Sequence, residues 1–386
     1  RANYAEVGND TSPYQIYNTY DVGAAFNGSA SASNPGAFNN SDLKSETSKE
    51  FEVGLEAQFL NNRLGFDFSY YKRKTVDLIT PITVSNATGA SNLWLNGGDM
   101  ETTGYEVIFN ATPIKTTNFS WDIKFNWSTN EGIITRLAEG IEFMQLASVQ
   151  GGVTLGGALN EPFGTIRGKD LVYHTNGQPI VKTNGYYQLT TSTNEKIGNI
   201  TPDWTGGIKN NLKYKNFSLS ALIDIQKGGD VFSLDTWYGY ATGLYDFTAG
   251  NNELGNPVRN SNATGGGVIL PGVQADGTPN TVRAAANTYA NPWGYARAAQ
   301  SQHVYDASFV KLREVSLSYV FPKKIVNKFS IDNLSMSFFG RNLWIIHKNT
   351  PYSDPEAGLG AGNVQGYQSG AYPAVKEIGA SLKFEF

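Results

Sequence analysis

The sequence predicts an all-β protein: a transmembrane antiparallel β-barrel wall of about ten strands, with long extracellular loops. Three observations carry that expectation. Apolar residues recur on every second position in segment after segment, which marks strands with one apolar and one polar face. The connections between these segments alternate strictly between short and long, as in outer-membrane barrels with short periplasmic turns and long extracellular loops. No convincing long amphipathic helix interrupts the alternation.

The first strand is represented only by its end, "RANYAEVG". In "FEVGLEAQF" Phe51, Val53, Leu55, Ala57 and Phe59 share one face, and Glu52, Glu56 and Gln58 the other. "LGFDFSY" sets Leu64, Phe66, Phe68 and Tyr70 against Asp67 and Ser69. "YEVIFNA" aligns Tyr105, Val107 and Phe109, and "FSWDIKFNW" opposes Phe119, Trp121, Ile123, Phe125 and Trp127 to Ser120, Asp122, Lys124 and Asn126. "FSLSALIDI" aligns Phe217, Leu219, Ala221, Ile223 and Ile225. "VSLSYVF" aligns Val315, Leu317, Tyr319 and Phe321, and "LSMSF" aligns Leu334, Met336 and Phe338. In the closing "KEIGASLKFEF" the residues Ile378, Ala380, Leu382, Phe384 and Phe386 alternate with Gly379, Ser381, Lys383 and Glu385. Phe66, Phe68, Val107, Phe109, Ile123, Phe125, Leu219, Ile223, Leu317, Leu382 and Phe384 are expected to face lipid. Glu56, Asp67, Asp122, Lys124, Asp224 and Lys383 are expected to face the lumen.

The short connections are "LNNR" (60–63), "PIKTTN" (113–118), "YKNF" (214–217) and "FPKKIVNKFSID" (321–332). The long ones run from about Asp10 to Glu46, Pro81 to Gly98, Thr135 to Pro202, Ser233 to Gln302 and Asn349 to Tyr372. A soluble sandwich has no reason to keep every second loop long. Inward positions carry small residues such as Gly54, Ser120, Ser218 and Ser220, which suits a wide wall better than a narrow ten-stranded barrel filled by side chains. The last strand is therefore expected to pair with chain outside this sequence, not with the strand ending at Gly8.

Composition narrows the remaining classes. A net charge of −4 leaves no electrostatic footprint for nucleic acid. The absence of cysteine excludes disulfides, zinc–thiolate sites and cysteine nucleophiles. No apolar run approaches the roughly 18 residues of a spanning helix, and "RANYAEVGND" contains no apolar signal-peptide core.

Several stretches resemble SusC/RagA-type TonB-dependent outer-membrane transporters: "RANYAEVGND", "DLKSETSKEFEVGLE", "GNITPDWTGGIKNNLKYKNFSLSALIDIQKGGDVF", "YDASFVKLREVSLSYVFPKK", "FFGRNLWIIHKNTPYSDPEAG" and the final "GASLKFEF". They follow the family's order from first residue to last, and the run from Asp306 to Glu356 is the most specific. Ser45 stands where the family often has proline. The resemblance implies that residues 1–386 are the C-terminal part of a 22-stranded barrel domain, without the plug domain and first strands. It implies a SusD-like surface lipoprotein as lid, TonB as energy source through the missing N-terminal part, and a glycan or peptide as substrate. It implies the outer membrane of a diderm bacterium of the Bacteroidota type, with lipid and lipopolysaccharide around the barrel. The closing residues Ile378, Ala380, Leu382, Phe384 and Phe386 look like the signal read by the barrel-assembly machinery.

Chemistry is sparse. His174, His303 and His347 have no metal-ligand spacing and are expected at the surface or rim. There is no nucleophile elbow and no phosphate-binding loop; "GGVTLGG" (151–157) is expected to be a flexible extracellular loop. Asp354 and Glu356 sit on one turn beside Pro355 and cannot flank a sugar as a glycosidase pair does; the resemblance makes "DPE" a structural loop motif. No enzyme activity, cofactor or metal is expected. Lys311 and Arg313 share parity with Val315, Leu317 and Tyr319. They are expected above the apolar band near headgroup or lipopolysaccharide phosphates, because a charge at midplane costs about 2–4 kcal/mol.

The loop aromatics are the candidate contact residues: Trp237, Tyr238, Tyr240, Tyr245 and Phe247, with Trp293, Tyr295 and Arg297. Aromatic faces beside amides and charges suit sugar rings or peptide side chains. Packing within the loops, or docking of a lid, would use the same residues. Nutrient import is the expected function. A SusC-like barrel serving as a structural component of a larger envelope assembly (barrel-assembly or secretion machinery) is the alternative. A self-contained small barrel acting as adhesin or porin is a third reading.

Overall fold

The computed structural model describes residues 1–360, 362 and 364–385. Expectations for Phe386 lie outside the described residues. Ten strands form one antiparallel sheet in chain order: β1 Ala2–Asn9, β2 Glu46–Phe59, β3 Leu64–Thr83, β4 Asn92–Lys115, β5 Phe119–Leu137, β6 Pro202–Tyr214, β7 Phe217–Gly228, β8 Phe309–Val320, β9 Asn333–Lys348 and β10 Glu377–Glu385. A two-residue strand, Ala37–Phe38, adds to β4 in parallel. β1 and β10 are the two edges, and no pairing joins them among the described residues. Among those residues no helix is long and apolar enough to cross a membrane.

Register segregates the two faces as the alternation requires. Residues directly opposite in an antiparallel pair lie on the same face. Phe66, Phe109, Phe125, Ile208 and Ile223 form one row across five strands. Leu219, Leu317, Phe338 and Ala380 form another. The opposite face carries Glu56 against Asp67, Asn110 against Lys124, Asp122 against Asn211 and Asp224 against Lys311. It also carries a row of four serines, Ser218, Ser318, Ser337 and Ser381. The apolar face stays open, with Leu55 60% and Leu382 53% exposed. So large an exposed apolar face is not a water-facing surface; hydrocarbon covers it in a barrel.

Turn chemistry fits the short connections. Leu60, Asn61 and Asn62 all take positive φ between β2 and β3, and Lys215 does so between β6 and β7. The wall is taller than expected. β3, β4 and β5 have 20, 24 and 19 residues, well beyond the roughly 9–11 that a membrane strand needs. Most of the expected loop from Pro81 to Gly98 is therefore strand. Pro81, Gly97 and Gly98 resemble breakers, but Gly98 is required by close approach: a Cβ there would come within 2.3 Å of the Arg136 carbonyl oxygen.

The long loops are ordered bodies with their own cores. Strands Phe143–Val149, Val153–Ala158, Thr165–Gly168 and Glu195–Asn199 form a four-stranded sheet. Asp230–Ser233 joins Val304–Asp306 and Tyr367–Gln368 in a three-stranded one. Val153, Leu155, Ile166, Phe232, Leu234, Trp237 and Ala298 pack together between them. "GGVTLGG" is thus corrected. Gly151 and Gly152 make the turn with positive φ, and the rest is a buried strand. Its glycines admit close packing; a Cβ at Gly156 would lie 2.1 Å from the Met144 carbonyl oxygen.

Lys311 and Arg313 are also corrected. Register shifts between Leu312 and Glu314 on the β9 side, and between Leu222 and Ile223 of β7. A bulge flips side-chain parity, so Lys311 lies opposite Asp224 on the polar face. Neither side chain reaches the headgroup position that uninterrupted alternation predicted.

Candidate functional site

The helix α1, Leu234–Thr242, organises the aromatic loops. Ser233 caps it, its hydroxyl accepting from the Thr236 amide at 3.2 Å, and Gly243 ends it in the left-handed region. The sequence places this stretch in a loop, because nine residues with mixed polarity show no clear helical period. The Ser233 cap and Gly243 stop were the available signals.

Trp237 is only 5% exposed. It packs on Phe232 at 5.9 Å and meets the His303 ring edge-on at 5.1 Å. Tyr240 contacts Tyr245 at 5.0 Å and Phe247 at 4.7 Å, and Phe247 meets Trp293 at 5.5 Å. Tyr245 packs against Tyr352 at 4.2 Å. A second group joins Tyr238 to Tyr295 at 5.3 Å and stacks Tyr289 on Tyr295 at 6.0 Å. Arg297 lies over the Tyr186 ring at 4.9 Å. The structure thus gathers every candidate aromatic into two neighbouring clusters. Trp237 serves as their buried support, and Phe247, Tyr289, Tyr295 and Tyr352 keep open faces.

His303 corrects the expectation of a rim histidine: it is 1% exposed. Its Nδ1 lies 2.9 Å from Thr236 Oγ1, which also accepts from the Tyr305 hydroxyl at 3.2 Å. Burial pushes the imidazole down to about 4, so it stays neutral at physiological pH. Burial, with the Tyr305 hydroxyl as partner, pushes the Tyr240 phenol up.

Beneath the aromatics lies a cleft of about 180 Å³ lined by Asp235, Tyr245, Tyr352, Asp354 and Gln368 among others. Asp235 accepts from the Gln368 amide and from the Gly370 backbone at 2.8 Å. Asp354 and Glu356 both bond Lys311, and Glu356 also bonds Arg313, which reaches Asp224 at 2.7 Å. Lys311 lies 4.9 Å from the buried Phe309 ring. This five-residue clasp fixes the loop between β9 and β10 to the inner wall. Burial alone would push the Asp354 carboxyl up, but the Lys311 ammonium holds it lowered. Tyr352, His303 and Lys311 belong to the site and were missed as partners, since no local spacing links them. Among the described residues no group of three or more His, Cys, Asp or Glu is placed to hold a metal ion.

A family model described as "TonB dependent receptor-like, beta-barrel" matches residues 1–343. The chain belongs to that family. Like other receptor barrels of this kind, it is an outer-membrane protein. TonB-dependent receptor P3 of Formosa agariphila is 28% identical over 420 residues, covering 100% of this chain and 39% of that protein. TonB-dependent receptor SusC of Bacteroides thetaiotaomicron is 28% identical over 226 residues, 55% of this chain and 22% of its own length. The fold matches a chain of the RagAB peptide transporter with a TM-score of 0.72 at 20% identity, covering 100% of this chain and 40% of that one. The receptor chain therefore spans about two fifths of the length of relatives such as P3.

Proposed function

We propose that this chain is the C-terminal part of the barrel of a SusC/RagA-type importer. A glycan or peptide is captured outside under a SusD-like lipoprotein lid. It passes through the polar lumen at the expense of TonB-delivered energy. The observation that carries this reading is the joining of a polar inner wall to an ordered loop body. The clasp at Lys311 anchors that body, and it presents ring faces at Phe247, Tyr289, Tyr295 and Tyr352. A relative named SusC and a fold shared with the RagAB peptide transporter support it.

Uptake of labelled oligopeptides and oligosaccharides by intact cells tests the proposal. Tyr295→Ala and Phe247→Ala lower uptake at an unchanged level of outer-membrane protein, whereas Trp237→Ala disorders the loops. If loss of the whole protein spares all uptake but depletes other outer-membrane proteins, the barrel belongs to an assembly machine instead.

A further inference from the structure

The four short connections concentrate positive charge in an otherwise acidic chain. Of 30 Lys and Arg and 34 Asp and Glu in the sequence, they hold six and one: Arg63, Lys115, Lys215, Lys323, Lys324 and Lys328 against Asp332. All six cations are exposed, and none forms an ion pair in the described structure. Successive antiparallel strands place these connections at one end of the wall.

They form a continuous rim, not four separate turns. The Arg63 guanidinium donates to the Thr112 and Pro113 carbonyls at 3.1 and 2.7 Å. The Lys215 amide donates to the Asn118 carbonyl at 2.8 Å, and the Asn216 side chain donates to the Val320 carbonyl at 2.6 Å. The rim also borders the apolar face directly. Phe59, Tyr214 and Phe217 are half-exposed on that face, and Phe217 packs on Tyr319 at 4.6 Å. Aromatic rings of this kind mark headgroup depth in membrane barrels. Lys215 Nζ lies 5.4 Å from the Tyr214 ring, its charge just beyond that belt, as in snorkelling.

We propose that this rim binds the phosphate headgroups of anionic phospholipids of the phosphatidylglycerol class. Short turns face the periplasm, so the rim meets the inner leaflet of the outer membrane. A soluble acidic partner would need the cations but not the adjoining aromatic belt. Headgroups use both, since their acyl chains cover the apolar face while their phosphates meet the lysines.

The test uses the full-length outer-membrane protein that carries this chain, embedded in nanodiscs of phosphatidylcholine doped with phosphatidylglycerol. Native mass spectrometry counts the retained lipids. Each lysine near an anionic surface contributes about fivefold in binding at low salt. Replacing Lys323, Lys324 and Lys328 together by glutamine therefore lowers phosphatidylglycerol retention about a hundredfold at low salt, leaves phosphatidylcholine retention unchanged, and weakens the response to added salt. Lys72→Gln with Lys74→Gln, midway along β3 and away from the rim, leaves phosphatidylglycerol retention intact. Unchanged retention in the triple variant overturns the proposal, as does an equal loss in the control or, in discs that also contain lipid A, a preference for lipid A over phosphatidylglycerol. Loss of a periplasmic protein partner with phosphatidylglycerol retention intact overturns it too.

Discussion

Replacing Lys311 by methionine should open the loop between β9 and β10 while leaving the wall in place. The side chains of Lys311 and Asp354 are 5% and 7% exposed. Removing one partner of a buried pair costs about 3–5 kcal/mol, because the other charge is left uncompensated. Here Arg313 keeps its bonds to Glu356 and Asp224, so Asp354 is the main orphan. It retains two backbone donors, the Glu356 amide at 3.0 Å and the Ala374 amide. The lower end of the range, about 3 kcal/mol, is expected, which corresponds to roughly two decades in the opening equilibrium. Amide hydrogen exchange of residues 354–368, measured on protein in outer-membrane vesicles, reads that shift directly; residues 217–228 of β7 provide the invariant reference. The pH dependence has a fixed sign. In the native loop the lowered Asp354 carboxyl stabilises above its unfolded value, and this is lost as pH falls through the lowered one. In the variant, burial without Lys311 raises that carboxyl, and protonation relieves the penalty. The gap between the two proteins is therefore widest at neutral pH and closes in acid. Adding Asp354→Leu to the variant should restore protection, since an apolar pair often replaces a buried ion pair without loss. Unchanged exchange in Lys311→Met, or a double variant as open as the single one, would refute the reasoning.

Phe125→Arg places a charge in the row of Phe109 and Ile208 and should cost about 2–4 kcal/mol of folding stability in lipid. Lys124→Ala, on the other face, should cost far less in the same urea titration; equal costs would contradict the face assignment. Gly156→Val drives a Cβ against the Met144 carbonyl oxygen at 2.1 Å and the Phe143 ring at 2.6 Å. It should cost about 1–3 kcal/mol and expose 143–168 to protease while the barrel's heat-modifiable gel mobility persists. For His303 the folded value of about 4 lies below the unfolded 6.5. The opened loop therefore takes up the proton first, and loop stability falls as pH drops from about 6.5 toward 4. His303→Gln should abolish that dependence, measured as protease sensitivity at pH 7 and pH 4.5; identical profiles would show that the histidine does not couple.

The wall was legible because a two-residue period leaves its mark in every strand, and one covered face makes register unambiguous. That Phe66, Phe109 and Phe125 share one face follows from the alternation, whereas their alignment in one row comes from the strand register. Parity fails where one residue is inserted: the bulge at 312–314 sends Lys311 inward, and alternation carries no trace of a bulge without the partner strand. The loops were less legible for a different reason. Their cores join segments such as Val153, Phe232 and Tyr367 that are far apart in the chain, so no local spacing announces them. His303 looked like a rim residue because its partners, Thr236 and Trp237, lie more than sixty residues earlier. The aromatic stretches did stand out by density, but density could not separate Trp237, which supports, from Tyr295, which is open.

The row of Ser218, Ser318, Ser337 and Ser381 crosses four adjacent strands, and Ser318 and Ser337 hydroxyls lie 2.8 Å apart. Each hydroxyl stands one carbon from the backbone and can turn to donate or accept. The four positions carry no bulky side chain and no charge, and charge returns only where Lys213 extends the row beside Ser218. A body sliding past the four exchanges one hydroxyl partner for the next at nearly constant energy. Along these four positions the polar face resembles a bearing, with charged grip supplied by the clasp of Lys311 with Asp354 and Glu356.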